Sequence, residues 1–293
     1  MWQGVTLNPC YGDRLVRIGK CKLCHLENQD LCDSHYLPKK IYGVTRAPQL
    51  KSPHPVTLSG TSMRQLSDQL RDYVFCKCCE QRLNKNGEQW VLANIPDDCD
   101  GAFPLRAALQ ALTPIFVGTD LDLYDVTNVP TFEIDKLLYF AVSVFWRGAV
   151  HDWETTGGLK APKVELCGYE EPIRGFLMGE QILPLGVVLT ADIWHAKKVF
   201  QAAYPPLASH LPECQRYWFY IPGIIFSLYL GDGIPADIHL RDTKRNVLGV
   251  DVPAINSIWA MARSQVQSRE VSPKMKLMFD EIAAIRSKQG STG

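Results

Sequence analysis

Two cysteine pairs far apart in sequence, with a histidine between them, constrain this chain more than any other feature. Cys21-Lys22-Leu23-Cys24 opens the pattern, Ser34-His35-Tyr36-Leu37-Pro38-Lys39 follows, and Cys76-Lys77-Cys78-Cys79-Glu80 closes it. A C-x2-C turn can set two thiolates about 2.3 Å from one ion, and a second turn completes a tetrahedral shell. Four buried thiols without metal are the alternative; the spacing favours a structural Zn²⁺ held by Cys21, Cys24, Cys76 and Cys79. Cys32 and Cys78 are spare thiols close by in sequence, and either could shift into the shell. Cys10, Cys99, Cys167 and Cys214 are isolated and read as core filler.

Of the ten cysteines, six lie between residues 21 and 79, and no apolar leader precedes them. Clustered cysteines without a secretory signal point to metal in a reducing compartment rather than to disulfides. The expected location is therefore the cytoplasm. The longest apolar stretch, Leu137 to Trp146, falls short of the roughly 20 residues of a spanning helix, so no membrane is expected. Lys and Arg number 31 and Asp and Glu 31, so no whole-chain field attracts nucleic acid, and such binding needs a local patch.

Residues 1–97 form the cysteine-bearing unit and 98–293 a second unit, with the turn-rich Pro96-Asp97-Asp98-Cys99-Asp100-Gly101 between them. Within the first, Arg46 to Gly60 reads as a loop. Met63, Leu66, Leu70 and Val74 recur at helical spacing, which predicts a helix leading into the second cysteine pair. A short helix after Cys79 is expected to stop at Gly87. In the second unit, helices are expected over Pro104 to Phe116, Ile134 to Trp153, Glu171 to Gly179 and Ile255 to Arg286. Ala191 to Tyr204 fits helix or strand. Tyr217 to Leu230 reads as a buried strand broken at Pro222-Gly223, and Gly231-Asp232-Gly233 as a hairpin turn. The fold class is α+β, a zinc-stapled N-terminal module followed by a larger helix-rich domain.

The order C-x2-C, His-x-x-Pro, C-x2-C resembles the zinc-bearing branch of the HNH (ββα-metal, treble-clef) nucleases. Ser34 to Lys39, Cys79-Glu80, Leu83 and Glu88 further resemble bacterial proteins described as HNH-like. The resemblance covers the first third of the chain. It implies a hairpin-plus-helix fold, His35 as general base, and water attacking a phosphodiester beside a catalytic Mg²⁺ or Mn²⁺. The position before the base usually carries a metal-binding Asp or His and here is Ser34. The position after the last zinc cysteine is usually His or Asn and here is Glu80, a competent metal ligand. Asp72 could supply a further carboxylate. The leading expectation is a nuclease with His35 and Glu80 in the reaction, in bacteria often part of antiphage defence. The other reading is a non-catalytic zinc-finger adaptor on a degenerate HNH core.

Lys20, Lys22, Lys39, Lys40 and Lys77 tint the cysteine unit basic, which phosphate contacts would use, although an ordinary solvated face is the plainer reading. Nucleic acid is the partner expected at the N-terminal module, and a protein or a second copy at 98–293. Arg147 and His151 stand one turn apart on an apolar helix. Such an arginine is either paired with a buried carboxylate or exposed at a seam between domains.

Overall fold

Two antiparallel strands and the helix that follows them frame the cysteines. The structure is a computed structural model describing residues 17–45, 56–59, 62–65, 69–97, 102–118, 121–195, 199, 202–243 and 270–271. Strands at 56–59, 62–65 and 270–271 are described by their backbone alone. Strand β1 (Arg17–Gly19) leads into the first cysteine turn, and β2 (Gln29–His35) returns antiparallel to it. A short helix α1 (Lys39–Val44) follows. Strands β3 (Val56–Ser59) and β4 (Ser62–Gln65) form a hairpin, and β5 (Arg71–Cys76) completes the sheet in the order β1-β2-β5.

Residues 62–65 and 71–74 are thus in strands β4 and β5, residues 69–70 belong to no helix or strand, and 66–68 lie outside the described residues, so the expected helix is corrected. The apolar residues at helical spacing include Val74, which is buried in β5. β5 runs into α2 (Lys77–Leu83), a π turn (Asn84–Glu88) and α3 (Gln89–Asn94), so the helical path does not stop at Gly87. Gly87 is there for closeness instead. A Cβ at this position would lie 2.7 Å from the backbone nitrogen of Phe140.

The following segment carries α4 (Pro104–Gln110) and the small β6 (Phe116–Val117) and β7 (Asp122–Leu123) pair. Helix α5 (Ile134–Val150) is buried on every side from Leu137 to Gly148, as an all-apolar helix should be. Helix α6 (Glu170–Met178) ends at Gly179, whose φ of 74° supplies the left-handed cap. Strands β8 (Val187–Ile193), β9 (Tyr204–His210), β10 (Gln215–Ile221) and β11 (Ile224–Leu230) make an antiparallel sheet ordered β8-β11-β10-β9.

Pro222-Gly223 does not interrupt one strand. It turns β10 back on β11, with Gly223 at φ 85°. Gly231-Asp232-Gly233 is no hairpin turn; it leads from β11 to α7 (Ala236–Leu240). The tail expected to be helical lies outside the described residues, apart from β12 (Glu270–Val271), which pairs parallel to β4. One buried apolar cluster includes Cys21, Leu37 and Phe75 together with Phe140, Trp146 and Phe226, so burial is continuous between the cysteine unit and α5. No helix among the described residues is long and apolar enough to cross a membrane.

Candidate metal centre

The sulfurs of Cys21, Cys24, Cys76 and Cys79 all lie within 4.8 Å of one another. A Zn–S bond of about 2.3 Å places tetrahedral sulfurs roughly 3.8 Å apart, and the Cys24 and Cys76 sulfurs are at 3.9 Å. The cluster can therefore hold a metal ion such as zinc with little movement. It is the one group of three or more ligating side chains found among the described residues.

Each half is made by ordinary backbone chemistry. In the first turn the His25 N–H bonds the Cys21 carbonyl at 2.9 Å, and the Cys21 N–H bonds the Leu26 carbonyl at 3.0 Å. His25 adopts a φ of 60° to close it. Leu23 is fully buried and anchors the turn, while the Lys22 N–H reaches the Val74 carbonyl of β5 at 3.2 Å. In the second half Cys76 precedes α2 and Cys79 stands in its first turn, where the helix N-terminus favours thiolates. The Cys76 N–H donates to the Cys21 sulfur at 3.3 Å, joining the two halves.

Crowding four thiols makes them share charge. The Cys79 thiol beside Cys21 holds the Cys21 pKa well below the usual range, while the same proximity pushes Cys79 upward. Burial also raises Cys76. A divalent cation relieves this competition by replacing the protons, so binding must release protons. Cys78 is exposed, and Cys32 is half-buried outside the sulfur group; neither belongs to it.

His35 and Glu80 are placed differently from one another. His35 ends β2 opposite Arg71, and its charged neighbours are Asp33, Arg71 and Lys39. Burial lowers its pKa, which keeps the imidazole neutral near pH 7. Ser34 points to the other face of the strand, as alternation requires. It is buried, its hydroxyl accepts the Phe75 N–H and donates to the Cys32 carbonyl, both at 3.3 Å, and it lies close enough to Glu80 to act on its carboxyl. Burial raises the Glu80 pKa against the pull of Arg147, and its Oε1 has no hydrogen-bond partner. The structure therefore brings Glu80 to Ser34 and leaves His35 on the opposite face.

Arg147 closes the space beside Glu80. It is 2% exposed, and its Nη1 donates to the carbonyls of His35 at 3.2 Å and Tyr36 at 3.3 Å. Its Nη2 pairs with Glu88 on the π turn. Of the two readings open for this arginine, it is the paired one. An arginine alone in an apolar helix already asks for a carboxylate, but sequence did not say which. One turn on, His151 Nε2 meets Asp72 Oδ2 at 3.1 Å, and Asp72 stands directly across from Ser34. Asp72 is thus committed to a histidine and to the Tyr73 N–H at 2.7 Å.

Some of the surrounding cations are paired, Arg71 with Asp33 at 2.8 Å among them. Lys20 pairs with Glu27 at 3.2 Å and Lys40 with Asp97 at 2.9 Å. From α6, Arg174 donates to the Leu23 carbonyl at 3.2 Å, and Glu171 approaches His25 at 3.7 Å, bracing the first cysteine turn. No protein-family model, curated protein or solved structure matches this chain.

Proposed function

We propose that this chain is a zinc-stabilised interaction protein on a treble-clef, HNH-like core whose cation position is taken by Arg147. The resemblance gives the catalytic metal to positions 34 and 80. Here a serine hydroxyl and a buried glutamate fill them, and the nearest cation to that glutamate comes from the chain itself. That single observation carries the reading. A buried guanidinium paired with Glu88 and beside Glu80 leaves little reason for a hydrated Mg²⁺ to enter. Two further features suit an interaction protein. Ile115, Phe116 and Val117 are consecutive and exposed at β6, and Ile182 and Leu185 are exposed after α6.

The second reading is the metal-dependent nuclease, in which His35 acts as base. What favours it is a half-buried, neutral imidazole beside Lys39, a group able to meet a phosphate, and beside Arg71, which is paired with Asp33. The deciding measurement is a Mg²⁺ and Mn²⁺ titration of cleavage on supercoiled plasmid, single-stranded DNA and RNA, beside a zinc analysis. The expected result is one zinc per chain and no divalent-dependent cleavage. Cleavage that disappears in His35→Ala, with zinc content and Tm unchanged, would establish the nuclease instead.

A further inference from the structure

The four-stranded sheet has a second face, opposite α5, that none of the chemistry above uses. Along β8, Val187, Leu189, Ala191 and Ile193 go to the main core, and along β11 so do Phe226 and Leu228. The intervening positions face the other way. Val188 and Tyr229 meet Ile234 and Ile238 there, around α7. Between them the face carries polar side chains among apolar ones. In register, Ser209, Arg216, Tyr229 and Val188 form one row, and Leu207, Trp218, Ser227 and Thr190 the next.

Arg216 Nη2 donates to the Ser227 hydroxyl at 3.0 Å, and the guanidinium lies 5.5 Å from the centre of the Tyr229 ring. No carboxylate among the described residues stands within ion-pairing distance of Arg216. Thr190, directly across from Ser227, is fully buried, and its hydroxyl has no hydrogen-bond partner. Thr243 is tied to β8 through its N–H and the Leu189 carbonyl at 2.8 Å; it too is fully buried with an unpartnered hydroxyl. The nearby carboxylate, Asp192, is paired with Arg241 at 2.6 Å. Burial raises the pKa of the Tyr229 phenol, with Arg216, Asp192 and Arg241 as its charged neighbours.

Hydroxyls are costly to bury without partners, and a guanidinium answered only by a hydroxyl and a ring is short of an anion. A fork of parallel N–H donors with rotatable hydroxyls around it is the donor set that an oxyanion requires. We propose that this face binds a small oxyanion, a phosphate or the phosphoryl group of a phosphate ester, held by Arg216 and the hydroxyls of Thr190 and Ser227. Asp192 does not repel the guest because Arg241 already answers it. The site is independent of the cysteine cluster and of the reading given to it.

The test is calorimetry and thermal melting of the full, zinc-loaded chain with inorganic phosphate, with adenosine monophosphate, and with chloride at matched ionic strength. Saturable binding of either phosphate compound over chloride is expected; which of the two binds tells whether the site takes the free anion or an ester. Arg216→Gln and Thr190→Val should each weaken it by about tenfold or more. Thr190→Val nearly keeps the shape of the residue, so it carries the test if Arg216→Gln fails to fold. Absence of saturable binding over chloride would overturn the proposal, as would affinity unchanged in a folded variant, which leaves the hydroxyls to water alone.

Discussion

At Arg147 a guanidinium is withdrawn from water and answered on three sides, by Glu88 and by the carbonyls of His35 and Tyr36. Removing it strands buried negative charge, a loss of about 3–5 kcal/mol when one partner of such a pair is deleted. Arg147→Met should therefore lower stability by that amount in urea unfolding of zinc-loaded protein, and adding Glu88→Gln should recover part of it. Arg147→Lys keeps the charge but cannot reach both carbonyls and Glu88, so it should fall between. His151 gives a second test, through pH. Burial outweighs the pull of Asp72 and lowers its pKa. The unfolded chain then binds the proton first, so stability is present above about pH 6.5 and drains away as pH falls below it. His151→Gln cannot titrate. The stability advantage of wild type over the variant should be larger at pH 7.5 than at pH 5.5, and an advantage equal at both would contradict the sign.

Among the elements, the cysteine turns were readable because metal ligation demands a fixed spacing, and α5 because an apolar surface all round has one destination. The segment at 62–74 reads as a helix because its apolar spacing fits one, yet Val74 is drawn into β5 beside β2; cross-strand pairing is invisible to a local window. Gly87 shows the same limit at one residue. As a helix stop it was plausible, yet its role depends on Phe140, distant in sequence and touching in space. This separates two glycine substitutions. Gly87→Ala gains helix propensity but drives its Cβ into the α5 backbone, so a net cost of about 1–3 kcal/mol is expected. Gly43→Ala in α1 meets nothing within 4 Å and should be neutral or stabilising by about 1 kcal/mol. Equal effects in denaturant unfolding would mean that the α5 contact is not tight.

For the molecule as a whole, the turn at Pro96-Asp97 could be seen from composition, but not whether burial ends there. That depends on what faces α5, and the apolar cluster holds Leu23, Tyr36 and Phe75 together with Trp146 and Trp153. Tyr36 stacks on Trp153 at 5.3 Å, Phe75 on Trp146 at 6.0 Å, and Arg174 of α6 holds the first cysteine turn. In a module joined this way, a metal held by the four sulfurs would be tied to the shared core: with the ion removed, Leu23 would lose the turn that seats it and the core would loosen with it. Calorimetry of zinc-loaded protein should therefore show one cooperative transition. A chelator should move that whole transition down by on the order of 10 °C or more. Cys76→Ser should shift it in the same way without added chelator. Two separated transitions, only one of them sensitive to the chelator, would instead mean that the cysteine unit folds by itself and that its contacts with α5 are a docking surface rather than a common core.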